Sequence, residues 1–138
     1  MSGQGRRNNN GHNAYGRASE SNFSQREKEG QLLMKAAGSM QELIENWDKV
    51  RREDVEVVIE YNRNLWSLFY NAATEQDNDQ AVSEKPPVER TIIQLSDFVF
   101  QRSLQILREE NHENCKPLFD VLININKQVA SGLFKSKR

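Results

Sequence analysis

A single cysteine stands among the 138 residues. Cys115 therefore has no mate for an internal disulfide, and a zinc site with two or more thiolates cannot come from one chain. Long apolar runs are missing as well. No stretch approaches the roughly 20 consecutive apolar residues of a membrane-spanning helix. The opening MSGQGRRNNNGHN has no apolar segment of the kind a secretory signal needs, and with no disulfide the expected compartment is the cytoplasm. Hydrophobic residues make up only 36% of the chain and mean hydropathy is −0.83, so one core must be built economically in a chain of one-domain length. Strand signals are also scarce. No segment sustains a period-two alternation, and no Asn-Gly or Asp-Gly pair sits between strand-like runs.

Catalytic signatures are equally thin. The sequence holds no G-x-x-x-x-G-K, no G-x-G-x-x-G and no H-E-x-x-H. Its two histidines, His12 and His112, fall in segments read as exposed. His112-Glu113-Asn114-Cys115 brings one His and one Cys together, which is half a metal site and would need a second chain to complete it; a plain interhelical loop is the simpler reading. Cys115, beside Pro117, reads as an inert, half-buried thiol. Paired carboxylates such as Glu53-Asp54 and Glu109-Glu110 sit at helix ends, where solvated charge explains them. The expectation is a non-enzyme with no cofactor, no metal and no small-molecule substrate.

The formal net charge of −1 hides an asymmetry. Residues 1–19 carry Arg6, Arg7 and Arg17 and no acid, and residues 127–138 carry Lys127, Lys135, Lys137 and Arg138 and no acid. Between them lie twelve bases and twenty acids, a net of −8. An acidic body repels phosphate and argues against nucleic-acid binding there. The basic ends read as solvated tails, with contact to RNA as the alternative.

What the chain does have is helical periodicity. Residues 1–13 have almost nothing to bury and read as a disordered extension. Ala14, Tyr15 and Ala18 suggest a short leading helix. Ser24-Gln25-Arg26-Glu27 reads as a capping box opening the first long helix. Behind it Leu32, Leu33, Ala36, Ala37, Met40, Leu43, Ile44 and Trp47 recur at helical spacing, although Gly30 and Gly38 each weaken that helix by up to about 1 kcal/mol. A second stripe is Val55, Val58, Ile59, Asn62, Leu65, Trp66 and Phe69. The polar stretch 74–87 reads as a loop ending in Pro86-Pro87, which stops one helix and opens another. A third stripe holds Val88, Ile92, Leu95, Val99 and Ile106, widened by Ile93, Phe100 and Leu104. The last, from near Pro117, holds Leu118, Val121, Leu122, Ile125, Val129 and Leu133. Helices are expected over about 25–46, 53–73, 88–109 and 117–134, in a single domain spanning 14–134 with a basic tail at 135–138. Amphipathic helices of this number bury their stripes against one another as an all-α bundle. The β-branched run Val55-Val57-Val58-Ile59 is the one segment with strand character, and its flanks continue the helical period.

The informative segment is Tyr61-Asn62-Arg63-Asn64-Leu65-Trp66. Asn62 interrupts the apolar face, and a buried amide left unpaired costs a few kcal/mol. Ile123-Asn124-Ile125-Asn126 places Asn126 beside another stripe. Two readings are open for such amides: a buried hydrogen bond, with Asn62 near Asn126, that fixes helix register, or partner-binding groups at a groove. Trp47, Trp66 and Phe69 divide in the same way between core and interface anchor.

With these elements in this order, the sequence resembles the flagellar FlaF family over roughly 14–134. Ala14-Tyr15 followed by Ala18 is similar to the family's opening, and Ser24-Gln25-Arg26-Glu27 stands where the family has a Pro-Arg-Glu-type start, here without the proline. Tyr61-Asn62-Arg63-Asn64-Leu65-Trp66 resembles its Tyr-Asn-Arg-x-Leu-Trp signature. Residues 122–133 resemble its Ile-Asn-x-x-Ile-x-x-Gly-Leu ending. The resemblance implies a small cytoplasmic non-enzyme required for flagellin production, which acts on flagellin as a chaperone-like factor before export and alongside a regulator of the FlbT family. A groove for an amphipathic flagellin helix would suit such a task. Its expected contacts are Tyr61, Arg63, Asn64 and Trp66 on one helix and Asn124, Asn126 and Lys127 on the last, with Asn62 as a structural polar residue. The alternative is a post-transcriptional regulator reaching RNA through the basic ends.

Overall fold

The computed structural model describes residues 11–75 and 81–136, with side chains described from Gln25 onward, Ser83 and Ser136 excepted. The disorder expected over 1–13 lies outside the described residues for 1–10, and residues 11–13 are helical instead. Helix α1 runs without interruption over Gly11–Glu45. The leading helix and the first long helix are thus one element, and the backbone continues as helix through Ser24–Glu27 instead of starting there. α2 spans Arg52–Glu75, α3 Pro87–Arg108, α4 is the single turn His112–Cys115, and α5 covers Phe119–Ser136. Short 3-10 turns at Trp47–Lys49, Val82–Glu84 and Lys116–Leu118 lie in the connections. No strand occurs among the described residues, and none of their helices is long and apolar enough to cross a membrane.

Local chemistry sets the helix ends. Asp54 Oδ2 accepts the Arg51 backbone N–H at 2.8 Å, holding the chain as it enters α2. Pro87 occupies the first turn of α3, where its missing N–H leaves no bond unmade. The Arg52 guanidinium donates to the Glu109 carbonyl at 3.1 Å and the Ile106 carbonyl at 3.4 Å, placing a cation at the negative end of the α3 dipole. Asn111 caps α4 by accepting the Asn114 N–H at 3.0 Å.

The four long helices form a ring in the order α1, α2, α3, α5, with α1 packed chiefly on α5 and α2 on α3. Neighbours run antiparallel. In α1 and α5, Gly30 lies against Phe134 while the Leu33 carbonyl meets Asn126. The stripes read from the sequence fill the centre: Leu33, Met40, Ile59, Trp66, Val99, Ile106, Leu122 and Leu133 are all sealed from solvent, and Phe119, which stood outside those stripes, joins them. Each such side chain contributes roughly 1.5–3 kcal/mol by leaving water. Ser96 and Ser103 also face the core on α3. Their hydroxyls donate to the carbonyls of Ile92 and Val99 at 2.6 and 2.7 Å, so small polar residues are buried with their donors satisfied.

Candidate partner-binding groove

Pro86-Pro87 ends the approach to α3, and the helix then presents half-buried Val88, Thr91 and Leu95 on successive turns. α5 presents Gln128, Val129, Gly132 and Lys135 opposite them. The two rows face each other across an open groove of about 570 Å³. Its walls are apolar by construction. Thr91 Oγ1 donates to the Pro87 carbonyl at 2.9 Å, so the hydroxyl of this lining residue is satisfied within its own helix. A Cβ added to Gly132 would meet nothing within 4 Å, so this position opens the groove without being needed for helix packing.

The rim is cationic. Arg26 of α1 and Lys135 line the groove, and among the described residues no carboxylate lines it, although Glu89 stands directly behind Arg26. Arg26 Nη2 is fixed by Glu89, at 2.9 Å to Oε2 and 3.2 Å to Oε1, with both side chains about a quarter exposed. That ion pair ties α1 to the first turn of α3. Lys135 is exposed, at the mouth.

The residues singled out from the sequence are placed otherwise. Trp66 and Asn126 have 0% exposure and lie in the core, not on a surface that a partner reaches in the folded bundle. The reason is mutual satisfaction: Trp66 Nε1 donates to Asn126 Oδ1 at 2.9 Å, and Asn126 Nδ2 donates to Asn62 Oδ1 at 2.8 Å and to the Leu33 carbonyl at 3.3 Å. Asn62 is equally buried. Tyr61 and Asn64 are exposed on α2, with Arg63 half-buried and paired to Glu60 at 3.0 Å. Asn124 and Lys127 are exposed on α5, the diagonal corner of the ring, so no single groove unites the two sets. Sequence reasoning missed Thr91, Leu95, Gln128, Gly132 and Lys135 as a group. Pro86-Pro87 and Gly132 were the available signals, one for a helix start and the other for a position without a side chain.

Among the described residues no group of three or more His, Cys, Asp or Glu is placed to hold a metal ion. His112, read as a loop residue, stacks on Trp47 with ring centroids 4.4 Å apart and an interplanar angle of 15°.

A family model described as Flagellar protein FlaF matches residues 11–133. Searches of curated proteins and of solved structures returned no match.

Proposed function

Because the chain belongs to the FlaF family of flagellar proteins, we propose that it is a cytoplasmic flagellin-binding chaperone and regulator, required for flagellin synthesis and export, that holds an amphipathic segment of flagellin along the α3–α5 groove. The observation that carries this reading is the open apolar trough of Val88, Leu95, Val129 and Gly132 with a lysine at its mouth. A helix laid in it buries one apolar face by the helix-in-groove mode and offers a carboxylate to Lys135. The work is binding, not catalysis, and occupancy hides sticky surface until export. The FlbT-family regulator is the expected companion, coupling occupancy to flagellin translation.

Two substitutions test it. Gly132→Leu fills the trough from a position where an added Cβ meets no neighbour, and Lys135→Glu reverses the charge at the mouth. Both should retain the wild-type thermal midpoint and lose most flagellin capture, measured by pull-down and by calorimetry with purified flagellin. Intact capture by both variants sinks the groove reading. Capture that disappears on nuclease treatment would favour the RNA-dependent regulator instead.

A further inference from the structure

Helix α2 carries apolar residues on two faces. One face, Val55, Ile59, Asn62, Trp66, Phe69 and Ala73, is buried in the bundle. On the other, Val57, Tyr61, Asn64 and Leu68 follow one another at spacings of four, three and four residues, which is the heptad spacing of a helix–helix seam. Val57 is 69% exposed and Leu68 66%, the highest values among the large apolar side chains of the described residues that face solvent. A β-branched valine is a mediocre helix residue, and here it stands outward in line with Leu68 on a helix that also buries a full stripe.

The flanks of this stripe carry opposite charge at the same height. From α1, Lys35 reaches over Tyr61, its Nζ 6.0 Å from the ring centroid. Glu60 falls on the other side. At about 100° per residue it lies toward Arg63, to which it pairs, and Tyr70, which meets Phe100 of α3. A stripe with a cation on one flank and an anion on the other is self-complementary under one symmetry only. A twofold axis parallel to α2 sets each Lys35 opposite the partner's Glu60, and it also sets Asn64 opposite the partner's Asn64, where two amides can pair. An antiparallel pairing sets like flank against like flank.

We propose that this face of α2 is the interface of a parallel homodimer, with the Val57–Leu68 stripe as its seam and Lys35–Glu60 pairs on both sides. It lies on a different helix from the α3–α5 groove, so a dimer carries two open grooves.

Sedimentation equilibrium on the full chain should show a monomer–dimer equilibrium. Leu68→Glu should abolish the dimer without moving the thermal midpoint, since Leu68 makes little contact within the bundle. Lys35→Glu and Glu60→Lys should each weaken association by about tenfold, and the double variant should recover it. In a Cys115→Ala background, Asn64→Cys should form an intermolecular disulfide on mild oxidation. A chain that stays monomeric at every concentration overturns the proposal. So does a dimer indifferent to Leu68→Glu, or one that cross-links between Val57→Cys and Leu68→Cys but not through Asn64→Cys.

Discussion

Trp66 on α2 donates its indole N–H to Asn126 Oδ1 on α5 at 2.9 Å, with both side chains closed off from solvent. An indole nitrogen only donates, so this bond fixes which way the Asn126 amide faces. Its Nδ2 must then point to acceptors, and it finds Asn62 Oδ1 and the Leu33 carbonyl. The Asn62 amide is oriented in turn, and its own Nδ2 is left without a partner among the described residues. One donor at the head of the chain thus dictates the hydrogen bonding of three helices, α1, α2 and α5, at one level of the bundle.

This direction makes the two asparagines unequal. Asn126→Ala strands the Trp66 N–H and the Asn62 amide together and should cost about 3 kcal/mol. Asn62→Ala removes an unsatisfied donor along with one bond and leaves Asn126 bonded to Leu33, so its cost should be nearer 1–2 kcal/mol. Urea unfolding of the two variants compares them directly. Equal losses, or a larger loss at Asn62, would mean that the amide chain does not run in this direction.

Two glycines of α1 should respond in opposite ways. A Cβ on Gly38 meets nothing within 4 Å, so Gly38→Ala should gain about 0.5–1 kcal/mol from helix propensity. A Cβ on Gly30 would stand 2.6 Å from Phe134 Cε1. Gly30→Ala must push the Phe134 ring off α1, and that displacement offsets the propensity gain. Thermal midpoints should rise for the first variant and not for the second.

Much of this architecture was legible in the sequence because burial and the helical period coincide. The stripes from Leu33 to Met40, Ile59 to Phe69 and Leu122 to Leu133 are the core, and Pro86-Pro87 does open a helix. Asn62 could be recognised as an interruption of its stripe, but its bonding partners come from two other helices and no spacing within α2 encodes them. The continuity of α1 was hidden by a local signal. Ser24 and Glu27 have the pattern of a cap, yet a cap competes with simple continuation of the helix, and the backbone is helical on both sides. The α3–α5 groove was illegible for a different reason. Val88, Leu95 and Val129 belong to core stripes by period, and only the relative tilt of two helices decides which turns of a stripe stay open. The β-branching of Val57 reads as strand character and says nothing of its place on a second face of the helix.

His112 should matter to the end of the bundle that lacks the groove. Its ring stacks on Trp47, which also meets Phe119 edge-on at 5.8 Å. His112 Nε2 lies 3.0 Å from the Trp47 carbonyl oxygen, an acceptor, so Nε2 holds the proton and donates it. His112→Ala removes a stacked pair and a hydrogen bond and should cost about 1–2 kcal/mol. It should also change the near-ultraviolet dichroism of Trp47. A variant with unchanged stability and spectrum would show that the stack is incidental.

Cys115 should give the chain a measurable alkaline weakness. The thiol is buried between α3 and the start of α5 and leans on the Ile106 carbonyl at 3.8 Å. Burial pushes its pKa up; the Arg52 guanidinium pulls it partly back, and Glu109 adds to the rise. The folded state therefore keeps the proton to higher pH than the unfolded state does. The stability tied to this group is fully present below the unfolded thiol's value of about 8.5 and is lost as pH rises toward the folded one. Between those values the unfolded chain releases a proton that the native chain retains, so unfolding is favoured. Thermal midpoints measured from pH 7 to 10 should fall more steeply for the wild type than for Cys115→Ala, and the difference should begin near the unfolded value. Below it, a thiol-specific chromogenic reagent should react slowly with the native protein and rapidly in denaturant, because the thiolate forms only when the α3–α5 end opens. Parallel pH profiles for the two proteins, or immediate labelling of the native thiol, would show that Cys115 is not held neutral by burial.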